Sequence, residues 1–252
     1  MLRSLVGSEM CIRDRTEAEQ SFRFDGLSAK PVASILRGFS APVVLDRETS
    51  AEEQRFLLAH DTDAFNRWEA SRDLARACLF AMVTDGAAPD TAWIDALEQV
   101  IRDGELDPAF RALMLALPTQ SELAQMLHAK GVTPDPDAIH AAAETLRDAM
   151  AERWSSLLPE LMAANRVTDA YSPDAEQSGK RALGNAVLSL QTRLDGGKAA
   201  QAQFDAADNM TMQLSALSCL ISAGAEEAAL AAFEQQWKDD RLVMDKWFAL
   251  QV

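Results

Sequence analysis

Hydrophobic positions recur at helical spacing through most of this chain, starting near Thr49. Phe65, Trp68, Leu74, Cys78, Leu79 and Met82 fall near one face of a 3.6-residue period, so "DAFNRWEASRDLARACLFAMV" predicts a helix. Asp63 precedes it as its cap, an oxygen acceptor for the unpaired N–H groups of the first turn. Upstream, "TSAEEQRFLLAH" places Glu53 three residues after Ser50, a capping box. "TAWIDALEQVIRD" predicts a third helix. "LDPAFRALMLAL" predicts a fourth, with Asp107 as cap and Pro108 at the first helical position, where a missing N–H costs nothing. "SELAQMLHAKG" predicts a fifth, ended by Gly131. "DPDAIHAAAETLRDAMAERWSSLLPELMAAN" predicts one long helix kinked by Pro159. After the loop "RVTDAYSPD" come "AEQSGKRALGNAVLSLQTRL", "AAQAQFDAA", "MTMQLSALSCLISA", "AEEAALAAFEQQWKDD" and "RLVMDKWFALQV". Helix after helix with short turns predicts a mainly α fold, an ARM/HEAT-like α-solenoid of stacked helical hairpins. No strict sequence period accompanies it.

The pattern changes between Ser21 and Asp46. Phe22 and Phe24 alternate with polar neighbours, which predicts a half-buried strand. Pro42 ahead of Val43 and Val44 suits the first residue of a strand or a sheet edge. Two strands do not make a stable sheet, so the stretch reads either as a β-arm on the helices or as one or two strands left from a β-sandwich domain. The expected division is therefore residues 16–46 as the end of a β-sandwich and 47–252 as the helical-repeat domain. Residues 1–15, "MLRSLVGSEMCIRDR", are set apart. Glu9, Arg13, Asp14 and Arg15 interrupt the apolar run that a secretory signal needs, and the wording resembles translated sequencing adapter, so the segment is expected to be extraneous. At the other end, Leu242, Val243, Met244, Trp247, Phe248 and Leu250 form an apolar helix with no polar outer face after it. A solenoid ends in a capping repeat, so the domain is expected to be truncated there.

Composition agrees with helices: Gly (11) and Pro (9) are sparse in 252 residues, and 48% are hydrophobic. The net charge of −15 repels phosphate backbones and anionic membrane surfaces, which argues against nucleic-acid or membrane partners. No apolar run is long enough for a membrane helix. Cys11, Cys78 and Cys219 form no framework; they fit a reducing, cytoplasmic compartment. Cys78 and Cys219 lie in apolar helical stretches and read as small buried hydrophobes.

Candidate chemistry is sparse. The three histidines are His60, His128 and His140, with no H-E-x-x-H among them. His140 and Glu144 are four apart on one helix and could form two-ligand geometry, but no third ligand is in view. Asp61, Asp63 and Glu69 in "HDTDAFNRWEA" are candidates for general acids or a cation site. Capping of the helix is the favoured reading, with Arg67 and Glu69 as a solvated rim around Trp68. Asp208 or Asn209 in "DNMT" is likewise read as a cap. No nucleotide-binding glycine motif or serine-hydrolase elbow occurs, and neither thiol has a histidine nearby in sequence.

Five stretches in order carry a resemblance: "PVASILRGFSAPVVLD", "LLAHDTDAFNRWEASRDLA", "LDPAFRALMLALPTQSELAQML", "FDAADNMTMQLSAL" and "LVMDKWFALQ". From Glu19 to Val252 the chain resembles the C-terminal part of the bacterial aminopeptidase N family, zinc alanyl aminopeptidases of the thermolysin-like metallopeptidases. The resemblance implies a β-rich N-terminal domain, a catalytic domain, a small β-sandwich and a C-terminal bowl of helical repeats that closes over the active site and restricts entry to peptides. It implies zinc in the parent enzyme, peptide substrates, and a catalytic domain missing from this segment. The family's H-E-x-x-H and G-x-M-E-N motifs are absent here, so no catalytic, cofactor-binding or metal residue is assigned, and this segment is expected to be inactive and metal-free. The alternative is a free-standing α-solenoid scaffold binding a protein on its concave face.

Overall fold

The computed structural model describes residues 4–5, 16–43 and 45–251. The chain divides into two compact units, one of residues 1–103 and 116–143, the other of residues 104–115 and 144–252.

In the first unit, Ser4–Leu5 (β1) pairs antiparallel with Ser34–Ile35 (β2), Ser4 opposite Ile35 and Leu5 opposite Ser34. The strand expected around Phe22 and Phe24 is not formed, and Val43 also lies outside regular structure. Alternation alone does not hold a strand without a ladder to hydrogen-bond it, and Phe22 is left exposed. After a 3-10 turn at Arg37–Phe39, the helices begin: α1 (Ala51–His60), α2 (Ala64–Asp85), α3 (Thr91–Arg102) and α5 (Gln120–Ala129). Side-chain chemistry sets these boundaries. Ser50 and Glu53 form both halves of the expected capping box. Asp63 accepts the Asn66 N–H at the start of α2. Thr119 and Glu122 form a second capping box at α5, a T-x-x-E signal legible in the sequence but not read there. Gly131 ends α5 as expected, at φ +77°. Its N–H bonds the His128 carbonyl and the next N–H bonds Leu127, the paired bonds of a Schellman turn, which favours a residue without a Cβ. Leu58, Leu79, Ile94, Leu97 and Ile101 fill the core, with Trp93 donating its indole N–H to Ser71 Oγ at 3.1 Å.

The predicted long helix is two: α6 (Pro136–Arg153) and α7 (Leu157–Ala164). Pro159 does not kink the middle of a helix. Its ring would meet the carbonyl of Ser155, and it has no N–H to donate. The helix therefore stops before Ser155 and restarts so that Pro159 lies in the first turn of α7, where no donor is needed.

The second unit is built on α8 (Ala175–Asp195), which packs against α4 (Pro108–Met114), α7, α9 (Lys198–Ala206) and α10 (Met210–Ser222). Gly179 lets α4 approach α8: a Cβ there would lie 3.2 Å from the Ala109 backbone nitrogen. Then α10, α11 (Glu227–Trp237) and α12 (Arg241–Ala249) follow in order, α10 packing on α11 and α11 on α12. Leu188, Phe204, Leu217, Leu220 and Phe233 form their core. Val243 and Trp247 of α12 and Leu250 just after it pack against that core, while Leu242 and Phe248 are 76% and 60% exposed.

Candidate functional site

The residues weighed for chemistry are dispersed. Cys78 is buried in α2, where its sulfur accepts the Asp90 N–H at 3.3 Å. Cys219 is buried in α10. Burial pushes both thiols above the usual cysteine value, away from thiolate character. Cys11 lies outside the described residues. His60 sits exposed at the end of α1 with its ring 4.8 Å from Phe56. His128 is exposed in the last turn of α5.

His140 and Glu144 each already have partners within the protein. The His140 ring nitrogen Nδ1 lies 3.2 Å from Gln120 Nε2. Glu144 is engaged by Arg147 at 2.6 Å and Arg193 at 2.9 Å. Burial alone would raise its carboxyl, but the two guanidiniums outweigh it and hold the group below the ordinary value. Among the described residues no group of three or more His, Cys, Asp or Glu is arranged to hold a metal ion. In "DNMT", Asn209 is the cap of α10, accepting the Met212 N–H at 3.1 Å. Asp208 accepts from the Asn209 amide instead.

The acidic stretch after α1 does assemble into something. Asp63 is the expected cap, but Asp61 is not. Its side chain is 1% exposed and pairs with Arg37. Asp61 Oδ2 accepts from Ser34 Oγ at 2.5 Å, and Oδ1 also accepts the Asp63 N–H at 2.9 Å. Asn66 Nδ2 donates to Ser34 Oγ at 2.6 Å and to the Ile35 carbonyl at 3.0 Å. Arg37 Nη2 reaches Thr62 Oγ1 at 2.7 Å, and the Gly38 N–H reaches Asp63 Oδ2 at 2.7 Å. Both oxygens of Asp61 and both of Asp63 already accept hydrogen bonds within the protein. Arg67 and Glu69 are not a solvated rim. Both are half-buried, Arg67 donating to the Leu58 carbonyl at 3.0 Å and Glu69 pairing with Arg76 at 3.1 Å. Beside the cluster, Phe39, Phe65 and Trp68 run ring to ring at 5.2 and 5.9 Å. A cleft of about 450 Å³ opens there, lined by Ile35, Leu36, Phe39, Val43 and Leu45 with Arg47 and Arg76. The second unit holds a separate cleft of about 490 Å³, lined by Met162, Asn165, Arg166, Tyr171, Gln203 and Met212 among others.

Sequence reasoning missed Ser34, Arg37 and Asn66. The signal lay in "SILRGFS", which carries only resemblance above, and in "HDTDAFN", whose carboxylates are weighed above as caps, acids or a cation site but not as partners of the earlier stretch. No local rule pairs two stretches so far apart in the chain.

Among family models, one described as a domain of unknown function (DUF3458_C) with ARM repeats matches residues 51–252. The chain belongs to the DUF3458_C family. Ahead of the DUF3458_C region, a domain of unknown function (DUF3458) with an Ig-like fold matches residues 6–48, beginning inside the segment 1–15 set apart above. Aminopeptidase N of Caulobacter vibrioides is 37% identical over 258 residues, covering 99% of this chain and 29% of that protein. Aminopeptidase N of Escherichia coli is 33% identical over 247 residues, covering 94% and 28%. The Haemophilus influenzae aminopeptidase N is 32% identical over 244 residues, again covering 94% and 28%. The chain thus spans less than a third of the length of these relatives. A crystal structure of Legionella pneumophila aminopeptidase A in complex with aspartic acid superposes with a TM-score of 0.79 at 24% identity, covering 99% of this chain and 31% of that one. That likeness bears on the fold of the DUF3458_C region and the residues before it.

Proposed function

We propose that this chain is the C-terminal, helical-repeat part of a longer aminopeptidase, a hydrolase removing N-terminal residues from peptides. The observation that carries the reading is 37% identity to an aminopeptidase N across 99% of the chain. The catalytic zinc of such an enzyme does not fit the residues present. No three potential ligands converge among the described residues, and Glu144 is taken up by two arginines. No chemical step is therefore assigned to this chain. Its role in this reading is to enclose the active site and govern peptide access, and its immediate partners are a catalytic domain and the peptides that domain cleaves. Two features support it: stacked helical repeats generate extended binding surfaces, and a net charge of −15 attracts the ammonium end of a peptide. Among the described residues Cys78 and Cys219 are free, buried thiols, which favours a reducing cytoplasm, and no helix among those residues is long and apolar enough to cross a membrane.

Purified chain incubated with an alanyl chromogenic substrate, with and without zinc, is expected to release no chromophore; zinc-dependent release overturns the assignment. Reading the genomic frame upstream of Thr16 is expected to reveal H-E-x-x-H in frame. A start site near Met1 with no such motif favours the free-standing scaffold.

A further inference from the structure

We propose that the buried Arg37–Asp61 pair and the hydrogen bonds around it form a latch that docks the Ig-like segment onto the helical repeats and can be released without unfolding those helices. The two family matches meet between residues 48 and 51. The network straddles that boundary: Ser34, Ile35, Arg37 and Gly38 lie on the Ig-like side, and Asp61, Thr62, Asp63 and Asn66 on the helical side. Six hydrogen bonds run between these two sets of residues. Their centre is dry, with the Asp61 side chain 1% and the Arg37 side chain 12% exposed. Removing one partner of such a pair leaves the other charge buried and uncompensated.

Two further features make the joint discrete. The helices do not depend on it for their own caps. Ser50 starts α1 through its own capping box, and Asp63 caps α2 through Oδ1, using only Oδ2 for Gly38. The segment it holds is under tension. Leu36 and Phe39 adopt φ of 60° and 50°, and Gly38 adopts 64°. Left-handed backbone is unfavourable for residues with a Cβ, so the turn keeps this shape only while its neighbours impose it. Losing the Asp61 charge therefore frees a turn that is already biased to open. By contrast, Lys30 and Glu53 form an ion pair across the same boundary at 3.3 Å, with Lys30 87% exposed. Exposed pairs of that kind contribute little.

The test is hydrogen–deuterium exchange with peptide-level readout on the full 252-residue chain. In Asp61→Asn and in Arg37→Gln, amides of residues 34–40 are expected to exchange about tenfold faster or more, while those of α1 and α2 keep their protection. Glu53→Gln is expected to leave residues 34–40 unchanged. The proposal is overturned if residues 34–40 are unaffected in both latch variants, or if α1 and α2 lose protection along with them. It is equally overturned if Glu53→Gln has the same effect. Should Asp61→Asn fail to fold, Arg37→Gln, whose head group is less buried, decides the matter; failure of both to fold also overturns it.

Discussion

Gln213 is 6% exposed on α10, and its one amide serves two partners on α11. It donates to Gln236 Oε1 at 2.8 Å and accepts the Trp237 indole N–H at 3.0 Å. Gln213→Leu keeps approximate volume and removes both bonds, leaving the half-buried indole donor unpaired. Urea denaturation is expected to show a loss of about 1–2 kcal/mol with an unchanged slope. At this scale caps are legible in the sequence: Ser50, Asp63 and Asp107 each accept the backbone N–H expected of them, and of the two candidates Asp208 and Asn209 it is Asn209 that does. A cap is a local event, written within four residues. Gln213 and Asp61 were not legible in the same way. Each is a polar residue whose partners are distant in the chain, and sequence offers no rule that distinguishes a buried glutamine from a solvated one.

Helix positions followed from spacing, but α6 and α7 show the limit of that rule. The apolar period runs on through Trp154, Leu157, Leu158 and Leu161, all buried, while the backbone breaks because of Pro159. Packing kept the period that the hydrogen-bond ladder could not. The short strands were less legible still, since a strand is defined by its partner. Contacts between helices also carry titrations. Glu122 both caps α5 and receives Arg72 of α2 at 2.5 and 2.6 Å. The Arg72 hydrogen bond, with help from the Thr119 N–H, holds its carboxyl down to about 2, from an ordinary 4.5. A carboxyl lowered on folding stabilises the native state above its unfolded value and loses that contribution as pH falls through the folded value. The stability gap between the parent protein and Glu122→Gln is therefore expected to be constant above about pH 5 and to shrink as pH falls towards 2. Thermal melts at stepped pH check this; a gap that does not change with pH contradicts it.

For the molecule as a whole, charge is the property that sequence states most completely. A chain at −15 with a pI near 4.6 repels itself when folded. Raising salt from about 10 to about 150 mM shortens the range of that repulsion to under a nanometre, and the melting temperature is expected to rise across the interval. A flat or falling response would mean that paired networks such as Arg193 with Glu144 and Asp148 outweigh net charge. Family likeness was also legible at this scale, through motifs whose physical meaning appeared only when "SILRGFS" and "HDTDAFN" came together. The ring sequence Phe39, Phe65, Trp68 then acquires a practical value. It runs from the turn under tension to one of only five indoles in the protein, with the Arg72 guanidinium 5.2 Å from that ring. The chain thus offers a built-in optical gauge: its tryptophan emission is expected to change when the turn at residues 36–39 is released, and that change is expected to vanish in a Trp68→Phe background.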